Sequence, residues 1–389
     1  AKDELALQAG MTPCELVRYF DYPCDISHAT TEDGYVIEVN RVPHGLRDNG
    51  TAPNAESDTV RHPVLFVPVF AGASDLWFIN YPGQSAGFLF ADAGFDVWAM
   101  NSREITRYSN HTTLSKNDPQ YWKFSFDEIG RLDIPAGVDH VLNATGADRL
   151  TLVSLSQGVA TILVLLSTRP EYNDKINLVV AYGPVANVSH LGSPLSLLIP
   201  FTPLIATLAY PFTMAGYLEA TKGLSEFAAK VCEILFNGEA CSLAITITAF
   251  SSPYQLNETR LPVYVGHYPV GTTIQNFMHY YQMYKAKDFV MYNYGAKENQ
   301  KRYGQAEAPA YPVERITTPW AIFSSDGDSV ADPRDVEDLV ARLGPRVIQH
   351  RVVPQKTFGH FDFAIGYRAN DFLHNAAIDI IKQQIDESA

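Results

Sequence analysis

The feature that most constrains the fold is a segment in which an apolar strand-like run passes through one short turn into an apolar helical run. Residues 150–155 have β character, and residues 157–166 are compatible with one unbroken helix. Ser156 stands between the two runs. Such a turn lifts a serine hydroxyl off the end of a sheet, and the helix behind it directs free N–H groups toward developing negative charge. The segment predicts Ser156 as a nucleophile.

The motif around Ser156 differs from the usual G-x-S-x-G pattern, because it reads Ser154-Leu155-Ser156-Gln157-Gly158. Serine is small enough for a tight turn, and Gly158 allows the helix start to pack against the strand. Taken alone, S-x-S-x-G is equally compatible with an ordinary strand-to-helix connection. The assignment therefore depends on the rest of the chain.

Buried strand patterns alternate with helical patterns along most of the chain, which predicts an α/β fold with a largely parallel sheet and helices on both faces. Strands are predicted near residues 35–39, 62–70, 94–101, 175–184, 318–324 and 346–353. Helices are predicted within residues 122–142, with Asp133 as the cap and Pro135 in the first turn, and at 371–384. The alternation stops between about residues 187 and 311.

These patterns divide the chain into three parts. Residues 1–30 are interpreted as an N-terminal extension, residues 31–186 and 312–389 as the α/β core, and residues 187–311 as a mainly helical insertion. The formal net charge of −14 argues against nucleic acid or an anionic membrane surface as a partner. Residues 176–218 lack Asp, Glu, Lys and Arg, but the prolines in 191–218 argue against a transmembrane helix. That run is either buried or in contact with lipid.

Cysteines and glycosylation motifs favour the secretory pathway. The four cysteines form two close pairs, Cys14/Cys24 and Cys232/Cys241, which suggests two local disulfides, with free buried thiols as the alternative. Five N-x-[ST] sequons support glycosylation at Asn49, Asn110, Asn143, Asn187 and Asn257. A start at Ala1 in a charged segment is typical of a processed chain. The eleven histidines show no ligand spacing, so neither a metal nor a cofactor is expected.

A serine nucleophile needs a base and an orienting carboxylate, and the chain supplies both in the order Ser, Asp, His. Asp328 follows the predicted strand that ends near residue 324, and His360 follows the one that ends near residue 353. Asp326 and Asp332 compete with Asp328, although Asp332 is better placed as a helix cap before a proline. Each residue alone fits an ordinary loop, but their order and placement together predict a catalytic triad.

From about Thr31 to near its C-terminus the chain resembles the acid lipase family, which includes gastric and lysosomal acid lipases. The matching motifs are Thr31-Glu32-Asp33-Gly34-Tyr35, Ala91-Asp92-Ala93-Gly94-Phe95-Asp96-Val97-Trp98, Asn101-Ser102-Arg103, Phe124-Ser125-Phe126-Asp127-Glu128, Gly271-Thr272-Thr273-Ile274-Gln275-Asn276, Ala331-Asp332-Pro333 and His360-Phe361-Asp362-Phe363.

The resemblance implies an α/β-hydrolase fold in which Ser156 is the nucleophile, Asp328 the orienting acid and His360 the base. It implies that the insertion is a cap and lid with a possible lipid-surface contact, and that the substrate is a neutral lipid ester. The Cys232–Cys241 spacing resembles the family's cap disulfide, whereas Cys14/Cys24 lies outside the mammalian pattern. A secreted or lumenal protein, the lysosome included, is expected.

Three departures from the family cluster around the nucleophile. Ser154 and Leu155 replace the family's elbow residues, and Val69-Phe70-Ala71 stands where the family has His-Gly-Leu. By position the oxyanion donors would be the backbone N–H groups of Ala71 and Gln157. Two functions therefore remain: an ester hydrolase, or a catalytically impaired homologue that binds or carries lipid.

Overall fold

The computed structural model describes residues 2–46, 61–192, 194–197, 199–219, 251–252 and 254–388. Within these residues a nine-stranded sheet has the order β1-β2-β4-β3-β6-β7-β10-β11, with β5 beside β2. Its strands are β1 (Asp25–Thr30), β2 (Tyr35–Val42), β3 (Pro63–Phe66), β4 (Asp96–Met100), β5 (Ser109–His111), β6 (Leu150–Ser156), β7 (Ile176–Pro184), β10 (Trp320–Ser324) and β11 (Val347–Val352). The six strands from β4 to β11 in this order run parallel, whereas β2 pairs antiparallel with β1, β4 and β5.

Helices cover both faces of this sheet, as the sequence predicts. The α-helices of the described residues are α1 (Lys2–Ala9), α2 (Pro13–Tyr19), α3 (Ala86–Asp92), α4 (Phe126–Glu128), α5 (Ile134–Thr145), α6 (Gln157–Thr168), α7 (Thr202–Ala209), α8 (Leu261–His267), α9 (Ile274–Ala286), α10 (Ala296–Tyr303), α11 (Pro333–Leu343), α12 (Asp362–Ile365) and α13 (Asn375–Ser388). Turns of π-helix precede α5 at Ile129–Asp133 and α13 at Asn370–His374.

The continuous apolar runs are buried on both sides because successive strand residues point to opposite faces of the sheet. In β3, Val64 and Phe66 pack into one core cluster and Leu65 packs into the other. Helix α6 lies deep in the second cluster, where nearly all of its residues are buried. The predicted α/β fold with a mostly parallel sheet is confirmed.

The N-terminal stretch contributes more than the sequence indicates. β1 pairs with β2 along its whole length, although it lies inside the predicted extension. Its mostly exposed, polar residues carry no apolar signal, which is why the strand was missed. The predicted disulfide between Cys14 and Cys24 is present, with the two Cα atoms 5.3 Å apart.

The prediction that Asp133 caps the following helix is wrong. Helix α5 does begin at Ile134 with Pro135 in its first turn, but the Asp133 side chain makes no capping hydrogen bond. The π-helical turn runs directly into α5, so Asp133 itself has helical backbone angles. Its buried carboxylate instead accepts from the backbone N–H and Nε of Arg103, both at 2.8 Å.

The described part of residues 187–311 is mainly helical and adds a two-stranded antiparallel sheet of β8 (Tyr217–Glu219) and β9 (Gly271–Thr273). Residues 220–250, and with them Cys232 and Cys241, lie outside the described residues, as does Asn49. No helix among the residues that the structure covers is both long and apolar enough to cross a membrane.

Candidate active site

Ser156 ends β6 in an unusual backbone conformation, with φ 58° and ψ −125°. Residues other than glycine disfavour positive φ. A serine with this backbone conformation therefore indicates a constrained site rather than an ordinary strand-to-helix connection. Ser156 is half-buried, and α6 starts at the next residue. The turn therefore presents the hydroxyl at the carboxyl end of a central strand, where active sites of open α/β sheets occur.

Ser154 and Gly158 form a matched pair beneath this turn. The Ser154 hydroxyl donates to the Val67 carbonyl at 2.9 Å, which satisfies a polar group that would otherwise be buried without a partner. A Cβ atom at Gly158 would lie 1.9 Å from Ser154 Oγ and 2.6 Å from the Pro68 carbonyl oxygen. The serine that replaces the first glycine of the motif is thus accommodated, whereas no side chain fits at Gly158.

Asp328 and His360 form a buried pair beside the ends of the neighbouring strands. His360 Nδ1 lies 2.7 Å from Asp328 Oδ2, and the two side chains are 6% and 0% exposed. The other carboxylate oxygen of Asp328 accepts from the N–H groups of Val330 and Ala331, both at 2.9 Å. Both oxygens of Asp328 are therefore engaged, which fixes the imidazole with its Nδ1 as donor.

Strand β7 connects the surroundings of this pair to the end of β6. Ser156 is opposite Pro184 in the register of β6 and β7. A Cβ atom at the adjacent Gly183 would lie 3.0 Å from Asp328 Oδ2 and 3.3 Å from His360 Nδ1. His360 Nε2 is buried and has no hydrogen-bond partner among the described residues, so the Ser156 hydroxyl does not bond to it in this structure.

The competing aspartates have other roles. Asp332 caps α11 by accepting from the N–H of Arg334 at 3.0 Å, as its sequence position predicts. Asp326 is exposed. Of the three acids, Asp328 is the one hydrogen-bonded to His360.

The turn after β3 differs from the expectation for the oxyanion hole. Ala71 has φ 51°, and its N–H donates to the Glu104 carboxylate Oε2 at 3.2 Å. The Phe70 N–H has no hydrogen-bond acceptor within the described residues. The Phe70 ring contacts the rings of Phe277 and Tyr280 on α9. The N–H assigned to Ala71 is thus already occupied by a carboxylate.

Two further buried carboxyls, one beside Gln157 and one beside His360, are not predicted as site residues by the sequence. Burial raises the pKa of Glu104 to about 7, and that of Asp362 to about 7. Asp362 accepts from the N–H of Gly359 at 2.6 Å and from that of Ser252 at 2.9 Å, which ties the His360 loop to the insertion. Glu104 follows the end of β4, and this position was the signal that could have identified it.

The insertion also carries an exposed apolar surface, defined here by Leu197, Phe201, Leu204 and Leu208. Leu197, Leu204 and Leu208 are 74%, 57% and 63% exposed. Exposed apolar side chains that cluster in this way typically mark a contact surface.

Four predicted glycosylation asparagines lie in the described residues. Asn110 and Asn143 are exposed and Asn257 is partly buried. Asn187 is only 9% exposed, and its Oδ1 accepts from the backbone N–H of Ser189 at 2.9 Å.

Residues 14–81 match the family model described as a partial alpha/beta-hydrolase lipase region. Lipase lipl-1 of Caenorhabditis elegans is 34% identical over 381 residues, which are 96% of this chain and 92% of the relative. Gastric triacylglycerol lipase of Bos taurus is 32% identical over 384 residues, with 97% and 92% covered. Lipase member K of Homo sapiens is 31% identical over 386 residues, also with 97% and 92% covered.

Solved structures with the same fold are more distant. The alpha/beta hydrolase GrgF from Penicillium sp. sh18 matches with a TM-score of 0.52 at 14% identity, covering 93% of this chain and 99% of that one. A soluble variant of monoglyceride lipase from Saccharomyces cerevisiae matches with a TM-score of 0.51 at 12% identity, covering 93% and 98%. At this identity the two structures show the fold alone.

Proposed function

Since the chain belongs to the acid lipase family and is a carboxylic ester hydrolase, we propose that it hydrolyses esters of neutral lipids through Ser156, His360 and Asp328. The observation that carries this proposal is the buried His360–Asp328 pair beside the end of β7, the strand whose Pro184 pairs with Ser156, itself held at positive φ. Since the gastric relative's name specifies triacylglycerol, a neutral lipid ester is the substrate class to test first.

The proposed reaction proceeds in two halves. The Ser156 oxygen attacks the ester carbonyl carbon while His360 Nε2 takes the hydroxyl proton, and Asp328 stabilises the resulting imidazolium. His360 then returns the proton to the alkoxide, which leaves as the alcohol and gives an acyl-serine. A water molecule attacks that carbonyl with His360 again as base, releasing the carboxylic acid and the free serine.

For the tetrahedral oxyanion we propose the N–H groups of Gln157 and Phe70. Gln157 is the first residue of α6, where N–H groups lack helical acceptors and the helix dipole favours negative charge. Phe70 replaces Ala71 in this role because the Ala71 N–H is donated to Glu104. Each backbone donor is typically worth about 10²–10³ in rate.

A second function, that of a catalytically impaired homologue which binds or carries lipid, is favoured by the occupied Ala71 N–H. It would keep the apolar insertion and the fold while lacking a complete oxyanion hole. Sequons and the disulfide fit a secreted or lumenal glycoprotein under either function.

Labelling with a fluorophosphonate probe separates the two functions, because the probe phosphonylates only an activated serine. We expect one equivalent of probe to attach to the purified protein, and peptide mapping to place it on Ser156. Heat-unfolded protein is the control and should not react. A folded protein that stays unlabelled would exclude the hydrolase and leave the lipid-binding function.

We also propose that the apolar surface around α7 contacts the lipid phase. Leu204 and Leu208 lie on one side of α7. Changing both to glutamate should lower hydrolysis of an emulsified triacylglycerol by about 100-fold, because the loss of apolar contact costs about 1.5 kcal/mol per leucine. Hydrolysis of a water-soluble short-chain ester should not change.

The matched control for this prediction is a double glutamate variant at Ile26 and Ile348, which are 49% and 44% exposed on the edge strands β1 and β11. It adds the same charge outside the insertion and should leave both activities unaltered. Equal losses on the emulsion in the two double variants would show a general charge effect and refute the contact.

A further inference from the structure

We propose that Glu104 is a positioning residue, whose carboxylate holds the turn after β3 and the residue that follows the nucleophile in one hydrogen-bonded frame. The inference rests on the proposed ester hydrolysis at Ser156. It assigns to Glu104 a role in addition to those of Ser156, His360 and Asp328. Glu104 acts through the two backbone segments that carry the proposed oxyanion donors, the turn after β3 and the start of α6. It does not itself contact the substrate.

The carboxylate of Glu104 joins three parts of the fold. Oε2 accepts from the Ala71 N–H at 3.2 Å and from Gln157 Nε2 at 3.1 Å. Oε1 accepts from the Thr272 hydroxyl and from Asn276 Nδ2, the latter at 3.1 Å. One fully buried side chain thus connects the turn after β3, the start of α6, and the β9–α9 segment of the insertion.

Further hydrogen bonds hold Gln157, one of the four partners of the Glu104 carboxylate. Gln157 Oε1 accepts from Asn276 Nδ2 at 2.7 Å and from the Tyr280 hydroxyl at 2.9 Å. Both ends of the Gln157 amide are therefore held, and its backbone N–H belongs to the same residue. The Tyr217 hydroxyl donates to the Glu104 carbonyl at 2.9 Å, which holds the backbone of Glu104 as well.

The chemistry of this frame requires a group that only accepts. The four groups that meet the carboxylate are all donors and all neutral: Ala71, Gln157, Thr272 and Asn276. Above its pKa of about 7, Glu104 is ionised and accepts all four, whereas an amide would present a donor of its own to two of them at any pH. The titratable groups near Glu104 are phenols, those of Tyr217, Tyr268 and Tyr280, whose pKa values lie above the ordinary range because of burial.

The position of the frame suggests a consequence for the chemical step. Ala71 is next to Phe70, and Gln157 is next to Ser156, so a loosened frame shifts the two proposed donors relative to the reacting carbonyl. An oxyanion forms only in the transition state, so misplaced donors lower kcat and leave ground-state binding, and hence KM, nearly unchanged.

The test is steady-state kinetics of the full chain on a soluble p-nitrophenyl ester, with Glu104→Gln against wild type. We expect kcat to fall by about 10- to 100-fold and KM to change by less than about threefold. Glu128→Gln is the control, because Glu128 is a half-buried glutamate with a pKa also raised to about 7 by burial, and its partners are Ser125 and Tyr294. It should retain wild-type kcat.

Each outcome decides the proposal. Wild-type kcat in Glu104→Gln, or equal losses in Glu104→Gln and Glu128→Gln, would overturn the positioning role while ester hydrolysis stands. An inert wild-type protein would overturn the proposed function and this role with it. If Glu104→Gln does not fold, Tyr280→Phe removes the hydroxyl that holds Gln157 Oε1 without changing the ring. A kcat lowered at unchanged KM would then support the role, and an unchanged kcat would refute it.

Discussion

Replacing Ser156 with alanine is expected to lower kcat/KM for a soluble ester by about 10⁶-fold, because the acyl-enzyme path requires its oxygen. The variant should fold normally, since alanine removes one oxygen from a half-buried side chain and keeps the Cβ that already tolerates φ 58°. Initial rates at low substrate concentration measure the loss, and a thermal unfolding curve establishes that the fold is retained.

Ser154 supplies the matched control for this variant. It is the other serine of the motif, but its hydroxyl donates to the Val67 carbonyl beneath the turn. Ser154→Gly restores the usual first glycine and removes that hydrogen bond, at a cost in unfolding free energy of about 1 kcal/mol, and should keep activity within about tenfold. A Ser154 variant as inactive as Ser156→Ala, or a Ser156→Ala variant that still turns over, would contradict Ser156 as the nucleophile.

Local patterns were sufficient to predict the fold and the strand-turn-helix that carries Ser156. The continuous apolar runs of β3 and β7 and the strand-turn-helix at Ser156 are properties of consecutive residues, so periodicity identifies them. Asp328 and His360 were found in a second way, because carboxyl ends of parallel strands meet at one edge of the sheet. The positions of residues just after strand ends therefore predict which side chains lie close together in the fold.

The residues that were missed have partners distant in sequence. Glu104 meets Gln157 and Thr272 across sequence separations of 53 and 168 residues, and no local pattern marks those contacts. Asp133 has the sequence context of a helix cap, yet it binds Arg103 because the preceding turn is already helical. Residue type and order alone cannot show whether an acid caps a helix or binds a side chain that is distant in sequence.

The departures around the nucleophile fit together in the structure. Ser154 is accommodated because Gly158 leaves room for its hydroxyl, so this change alone does not disturb the turn. The occupied Ala71 N–H has chemical consequences, because it removes one candidate donor and places a carboxylate beside the elbow. Altered catalysis would therefore trace to the turn after β3 and to Glu104, and not to the proposed triad.

Changing Asp328 to asparagine is expected to lower kcat by about 10⁴-fold with little effect on KM. The amide can no longer stabilise the imidazolium, and its donor group competes with the N–H groups of Val330 and Ala331 for the same space. His360 Nδ1 would then face either a weaker acceptor or another donor, which gives the wrong tautomer for a base at Nε2. Single-turnover acylation measured with a chromogenic ester should show the loss directly.

Asp332→Ala is the control that separates orientation of His360 from loss of a nearby acid. Asp332 caps α11 and pairs with Arg334, so its removal should cost about 1 kcal/mol of unfolding free energy while kcat stays near the wild-type value. Normal turnover in Asp328→Asn, or a comparable loss of kcat in Asp332→Ala, would refute the assignment of Asp328. A loss confined to Asp328→Asn, with His360 still in place, would identify the 2.7 Å hydrogen bond as the contact that makes the histidine a base.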